Sequence, residues 1–478
     1  MTRLWIMLFA CMLSACSLAP KYQRPDIYIP ASYKEKVKWS ETQPEHVAFQ
    51  HGFWWQMYND PVLNELEDKV SMANQDLRVA LARYDEARAQ LNVARAAFFP
   101  TILAVANSYR QQVSGNVANK INVNPYSDNL LGINLTYEVD LWGSVRNTVA
   151  AASSTAKASA ANLAAIALSL HAELANDYFT LRGDDAAQRV LNATVVAYQQ
   201  ALDLTRRRYQ GGVTPIADVD QAQNQLETAK TAAADMHLRR AQLEHAIAIL
   251  IGATPASFSL IAIPYKPKLV TVAPVLPSLL LERRPDIAGA ELLVKAANYN
   301  IGVTRAAFFP AFNLSAGVGV ESSMLSNLLS SPSLIWSLGP TTATALLNNG
   351  SMPLLTQTLF DGGRISALND EAYAKYHETV ATYRETVLTA LQEVENSLVA
   401  LRQLDTEHHS QSAATSAAKR ALVQANYRYK EGLTTYLEVV VAQNIALEAE
   451  LSNINVSTRR QVASVQLIRA LGGGWQED

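Results

Sequence analysis

The residues best placed to do chemistry in this chain are two acids in matching positions. Asp218 and Glu438 each lie about one turn into an Ala-rich helical pattern. Each follows one of two related stretches, Tyr209 to Val219 (YQGGVTPIADV) and Tyr429 to Val439 (YKEGLTTYLEV), 220 positions apart. Acids so placed have three uses. They favour the positive end of a helix dipole. Glu438 with Thr435 fits a capping box. Gathered around an axis by several chains, they form a cation-attracting ring whose closure depends on pH and on counter-charges such as Arg208 or Arg428. Catalytic constellations are missing from the sequence. His408 and His409 are adjacent and face different ways on a helix, and His237 and His245 are eight apart. No His-Glu-x-x-His pair, Cys cluster, nucleophile elbow or phosphate loop occurs, so neither a metal, a cofactor nor an enzymatic activity is expected.

The one residue suited to covalent modification is Cys16. Arg3 precedes the apolar run Leu4 to Leu13, which ends in Leu13-Ser14-Ala15-Cys16. Residues 1–15 read as an export signal, too short and early for a spanning helix. The ending looks like a bacterial lipobox, in which Cys16 is diacylated and becomes the first mature residue; ordinary signal cleavage beside an incidental Cys is the alternative. Cys11 is the only other cysteine, so cleavage leaves no disulfide or second thiol. A net charge of −3 gives no sign of a nucleic-acid partner. Nothing else approaches the ~18–20 apolar residues of a transmembrane helix, although an exported chain can still cross a membrane as a β-barrel.

The elements that position the acids repeat. Arg95-Ala96-Ala97-Phe98-Phe99-Pro100 recurs as Arg305-Ala306-Ala307-Phe308-Phe309-Pro310, Leu181-Arg182 matches Leu401-Arg402, and Ile251-Gly252 matches Leu471-Gly472. Order and spacing together indicate two tandem repeats. The divisions expected are a signal at 1–15 and an extended, Pro- and Tyr-bearing tether at 16–59. Repeat 1 at 60–260 holds a β-hairpin near 100–141 and a helix-pair tip near 209–215. A linker at 261–284 leads to repeat 2 at 285–478, with a hairpin near 310–360 and a tip near 429–435. One helical pattern runs through Leu63, Leu66, Val70, Leu77 and Leu81 to Phe98. After each Phe-Phe-Pro the period changes to two. Leu131, Ile133, Leu135, Tyr137, Val139 and Leu141 alternate with polar residues, as do Phe312, Leu314, Ala316, Val318 and Val320. Thr101 to Arg110 is a partner strand. A fourth lies between Trp336 and Phe360, with Trp336–Leu347 and Pro353–Phe360 as candidates. Arg146 to Tyr209 is proline-free and Ala-rich and predicts a helix of ~95 Å. Its counterpart is Arg364 to Lys430, and shorter helices return over Pro215 to Ile251 and Thr435 to Leu471. Either the strands form a soluble sandwich or they span a membrane. In the second case four strands are too few to close, so chains must associate, three giving twelve strands.

Taken jointly, these residues resemble the outer membrane factor family, in its lipoprotein branch. The matches are the lipobox, Trp54-Trp55 with Asp60-Pro61, both Arg-Ala-Ala-Phe-Phe-Pro copies and Asp140-Leu141-Trp142-Gly143. They continue with Phe360-Asp361-Gly362-Gly363-Arg364 and Leu471-Gly472-Gly473-Gly474-Trp475. The resemblance implies a mixed α+β membrane protein: a homotrimer with a 12-stranded transmembrane β-barrel, four strands per chain, continued by a long periplasmic α-helical barrel. It implies a passive exit duct in the outer membrane, served by a periplasmic adaptor and a proton-driven inner-membrane pump. It also places a gate at the helical tips, at Asp218, Tyr429, Leu437 and Glu438. Thr434 and Val441 depart from the arginine and aspartate that relatives carry. Arg208, Gly211, Gly212, Arg428, Gly432 and Leu433 are candidate adaptor contacts, with a solvated surface as the plainer reading of the arginines. Type I protein secretion on the same architecture is the alternative function, and a pore-less structural lipoprotein a third. The transported substrate and the particular pump are beyond the sequence.

Overall fold

A computed structural model of the chain describes residues 17–35, 53–116, 118, 124–264, 270, 277–339 and 358–475. Cys16 and residues 340–357 lie outside the described residues. The chain divides into two units, one of residues 1–25, 84–159 and 290–383, the other of 26–83, 160–289 and 384–478.

The first unit contains a four-stranded antiparallel sheet in the order β1 (Thr101–Gln111), β2 (Tyr126–Glu138), β3 (Asn313–Ser322), β4 (Leu334–Gly339). Its register aligns the alternating patterns of both repeats. Ile102, Leu135, Ala316 and Leu338 form one row, and Ala104, Ile133, Val318 and Trp336 the next. Because side chains alternate with period two, one face is apolar in all four strands. The opposite face carries Asn134, Thr136, Ser315, Gly317, Gly319 and Ser337, with Leu103, Val105 and Ile335 among them. The apolar face lies open, with Ile133, Val318, Trp336 and Leu338 exposed. β4 falls at the start of the first candidate stretch; residues 358–360 of the second form no strand.

β2 also stops sooner than its alternation suggests, at Glu138 rather than Leu141. Asp140 explains this: its carboxylate accepts from the Val145 and Arg146 amides and caps the next helix, so the chain must leave the ladder before it. Trp142 fixes the corner, stacking on Phe309 at 4.7 Å and donating to the Pro310 carbonyl.

Among the described residues the helices longer than four residues are α1 (Pro61–Ala73), α2 (Gln75–Ala96), α3 (Ser144–Gln210), α4 (Ile216–Leu250), α5 (Pro285–Ala306), α6 (Arg364–Lys430) and α7 (Tyr436–Ala470), with one short α-helical turn at Leu280–Arg283. α3 and α6 are each 67 residues and α4 and α7 each 35, so the duplication reaches element length. The pattern read as one helix from Leu63 to Phe98 is instead two. Asn74 is extended between them; its Oδ1 accepts from the Leu77 amide while its Nδ2 donates to the Leu250 carbonyl. Four helices end alike on a left-handed glycine: Gly212, Gly252, Gly432 and Gly472. α3 also holds an 18-residue window of mean hydropathy 1.2, by length and composition enough to cross a membrane, where no such stretch was expected. Alanine supplies much of that hydropathy, and Leu170, Leu174, Tyr178 and Phe179 of the same helix are buried in the second unit.

That unit's core joins Trp54, Trp55, Tyr58, Leu63 and Val70 to Leu174, Tyr178, Phe179, Ile247, Val465 and Leu467. Gly183 is required here, because a Cβ would collide with the Thr458 side chain where α3 passes α7. Beside it, Arg182 and Arg240 share Asp185 and donate to the Ile261 and Leu260 carbonyls, which ties down the segment after α4.

Candidate functional site

The two tips lie within the second unit and share one backbone. At the first, Gly212 N donates to Tyr209 O and Val213 N to Arg208 O; at the second, Gly432 N donates to Tyr429 O and Leu433 N to Arg428 O. These paired bonds satisfy carbonyls that a helix end leaves open, and the left-handed conformation they need is why glycine recurs. Pro215 and Thr435 stand at the next N-caps, both extended, and neither provides a side-chain cap bond. The Thr435–Glu438 capping box is therefore not formed. Glu438 Oε2 instead accepts from Arg428 Nη1 at 3.3 Å, across the turn, with both groups more than half exposed.

Above the turns, Tyr198, Leu202, Leu226, Tyr429, Tyr436, Val439 and Val440 pack as one cluster joining the two helix pairs. Tyr429 and Tyr436 have ring centroids 5.4 Å apart. Arg208 closes the arrangement: its guanidinium carbon lies 4.6 Å over the Tyr429 ring and its Nη1 donates to the Tyr429 carbonyl at 3.4 Å. Arg208 is thus engaged inside the chain, whereas Gly211, Gly212, Gly432 and Leu433 are exposed. Asp218 is half-buried in the first turn of α4. Burial first, then Tyr429, Tyr198 and Asp218, push the Tyr436 hydroxyl up to about 12, which places the Asp218 charge in this cluster's field. Leu437 lies on the other side of α7, exposed in a stripe with Val441 and Ile445, and Leu433 is exposed in the turn before the helix. The spacing of four keeps Leu437, Val441 and Ile445 on one face, and Val441 continues that face as apolar surface.

Among the described residues, six buried polar atoms in and near the tips have no partner within the chain: Tyr198 Oη, Thr214 Oγ1, Gln225 Oε1, Tyr429 Oη, Thr434 Oγ1 and Gln443 Oε1. These are the groups that water or a second chain would have to satisfy.

A second charged site was missed in the sequence. Glu67 on α1 is fully buried, and its Oε2 lies 2.6 Å from Nδ1 of His171 on α3. Trp55 stacks on that imidazole at 4.4 Å, and Ser71 Oγ is 3.4 Å from Nε2. Burial, then the charge of Asp68, raise Glu67 well above the carboxylate range, and burial lowers His171 to about 4.

Comparisons with known proteins agree with this construction. Residues 68–253 and 276–473 match the outer membrane efflux protein family. The chain is 32% identical over 471 residues to the probable efflux pump outer membrane protein TtgC of Pseudomonas putida, covering 98% of this chain and 94% of that one. It is 33% identical over 475 residues to outer membrane protein OprJ of Pseudomonas aeruginosa, covering 98% and 95%. It is 28% identical over 471 residues to the probable outer membrane lipoprotein SilC of Salmonella typhimurium, covering 98% and 97%. Among solved structures, the outer-membrane channel OprN superposes with a TM-score of 0.87 at 27% identity, covering 97% of this chain and all of that one. The chain belongs to the outer membrane efflux protein family. It is an outer membrane channel component, the exit duct of an efflux pump.

Proposed function

We propose that three copies of this chain assemble into a duct. Its outer membrane part is a barrel of about twelve strands, and its periplasmic part is a tube of long helices closed at the tips. The observation that carries this reading is the sheet. Four strands present a continuous apolar face, and among the described residues the edges β1 and β4 are unpaired. In hydrocarbon an open edge leaves amides and carbonyls without water, so the sheet must close against other copies. The polar, glycine-rich face then lines a wet lumen. The two tandem repeats, 60–260 and 285–478, each supply one hairpin and one helix pair, and Cys16 carries the lipid.

The gate is the joint between the helix pairs. Tyr429 and Arg208 hold the pairs of one chain together, while Asp218, Glu438 and Leu437 stand near the proposed axis. Opening separates the pairs and hydrates the orphaned polar groups. A periplasmic adaptor engages the exposed Gly211, Gly212, Gly432 and Leu433 and supplies the binding energy for that separation. The pump, energised in the inner membrane, selects the cargo; the duct conducts drugs or other small toxic compounds. Native mass measurement of detergent-extracted protein should give a trimer. Planar-bilayer recording should give small closed-state currents that rise strongly in Leu437→Ala/Asp218→Ala. A correctly assembled trimer whose conductance and antibiotic exclusion are unchanged by that double substitution places the constriction elsewhere; a stable monomer sinks the barrel.

A further inference from the structure

The apolar face of the sheet is not uniformly filled. In the row Ile102–Leu135–Ala316–Leu338, Ala316 is a methyl group between two leucines. The next row toward the helices is Tyr137–Leu314. The result is a hollow of about 490 Å³ walled by Phe98, Pro100, Leu135, Tyr137, Leu314 and Leu338. Its lining is almost wholly hydrocarbon and aromatic.

The described chain begins close by, in the same unit. Ser17 Oγ donates to Asn147 Oδ1 at 2.9 Å, and Arg305 Nη1 donates to the Leu18 carbonyl at 3.2 Å. Ala19 lies against Gly302, where an added Cβ would come within 2.7 Å of the Ala19 Cβ. Contacts lead from there to the hollow. Asn147 closes the first turn of α3 on Gly143, Trp142 is pinned to Pro310, and Val139 N donates to Phe312 O, two residues from Tyr137 and Leu314. These contacts connect Ser17, within the same unit, to the residues at the edge of the hollow.

We propose that this hollow is the seat of an acyl chain attached to Cys16. The proposal rests on the reading of Cys16 as acylated and of the sheet as membrane-spanning. The end of the sheet that meets the helices is the periplasmic end, so the hollow opens to the inner leaflet, where a periplasmic lipoprotein's acyl chains insert. Residues 17–19 are held by Asn147, Arg305 and Gly302, so an acyl chain on the preceding residue would start from a fixed point in this unit. Seating one chain against the barrel wall fixes the anchor relative to the duct and packs Ala316, which the described residues leave bare.

The test uses the full-length lipoprotein in native outer membranes, with a photoreactive benzoylphenylalanine replacing Leu338 and, as a distant control, Leu131. After illumination and digestion, the mass of the N-terminal peptide reports acylation of Cys16 independently of any cross-link. The expected result is an adduct joining the acylated N-terminal peptide to the Leu338-site peptide, absent at the Leu131 site and lost when Ala316→Phe fills the hollow. An acylated Cys16 with adducts only to free phospholipid, or with equal adducts at both sites, overturns the seat alone. An unmodified Cys16 overturns the lipidation reading and the seat with it. Ala316→Phe that still forms trimers yet retains the adduct also overturns the seat.

Discussion

The two tips have the same backbone and different side-chain environments. Both close on a left-handed glycine, Gly212 at φ 70° and Gly432 at φ 74°, and both restart from an extended residue, Pro215 at ψ 159° and Thr435 at ψ 160°. Yet Tyr209 is 45% exposed where Tyr429 is 7%, and Ile216 is 50% exposed where Tyr436 is 3%. Turn chemistry alone determines the bend, so duplication preserved it. Whether a tip is a joint or a free end depends on what fills the position after the bend. The second tip is the joint, and substitutions at paired positions should separate the two. Tyr429→Ala removes a buried ring and should cost about 3–5 kcal/mol of the closed packing, by analogy with buried aromatic truncations. Tyr209→Ala, at the surface, should stay within about 0.5 kcal/mol. Open-channel current in bilayers, with uptake of a large antibiotic in cells, reads the difference; equal effects from both would erase the distinction.

The same contrast recurs at the roots of the repeats. Glu67 and Glu291 each stand six residues after a helix-opening proline, Pro61 and Pro285. Burial pushes both upward. For Glu291 the Lys295 hydrogen bond and the charges of Arg24 and Lys295 prevail and hold it below its ordinary value. Glu67 has only His171, itself buried neutral. The folded pair therefore keeps one proton over a wide range. The unfolded chain carries two below about 4.5, one up to about 6.5 and none above, using the groups' ordinary values. Stability from this pair is greatest between those values and falls on either side, by about 1.4 kcal/mol for each pH unit at full difference. Glu67→Gln leaves only the depressed His171, whose contribution is present above about 6.5 and is lost as pH falls toward 4. Thermal unfolding of the two proteins should thus diverge in slope: above pH 6.5 the wild type loses stability with rising pH while the variant does not. Parallel curves would mean the pair is ionised like any surface pair.

Much of this was legible because it is local. Alternation over Leu131 to Tyr137 and over Leu314 to Val320 located β2 and β3, and the tip glycines set the ends of α3 and α6. Helix ends were recovered to within a residue or two wherever a left-handed glycine was obligatory. Errors arose where a side chain reached outside its own pattern. Asp140 caps α3 and so ends β2 three residues early; Asn74, tied to Leu250, breaks a helix whose apolar period runs on. Glu67 and His171 are 104 residues apart and Arg208 and Tyr429 221 apart, so neither pair leaves a motif. Arg208 sits in a basic run that reads equally well as solvated surface. Only the fold shows that one of three neighbouring arginines turns inward.

That inward turn can be tested at a smaller scale than the loss of a ring. Arg208→Ala removes the cation–π contact and the bond to the Tyr429 carbonyl, together worth about 1 kcal/mol for a partly desolvated pair. Roughly a fivefold rise in the open-to-closed ratio should follow. Arg208→Lys keeps the charge without the planar stacking and should fall between. Arg206→Ala and Arg207→Ala, on exposed neighbours, should do little. If all three arginines behave alike, the run is a surface and the joint has another fastening.

The smallest effect belongs to the acid that first drew attention. Glu438 and Arg428 are exposed and paired across a single turn, so their bond can contribute only about 0.2–1 kcal/mol and is weakened by salt. Arg428→Ala should raise the open-to-closed ratio by about 1.4-fold to at most about fivefold at low ionic strength, and the difference from wild type should vanish near 1 M salt, where the screening length is about 3 Å. Arg208→Ala should keep most of its effect there, since its contact lies against a buried ring. A salt-resistant Arg428→Ala phenotype would show that Glu438 is desolvated in the assembled duct. The acidic position would then belong to the gate itself rather than to the turn that leads into it.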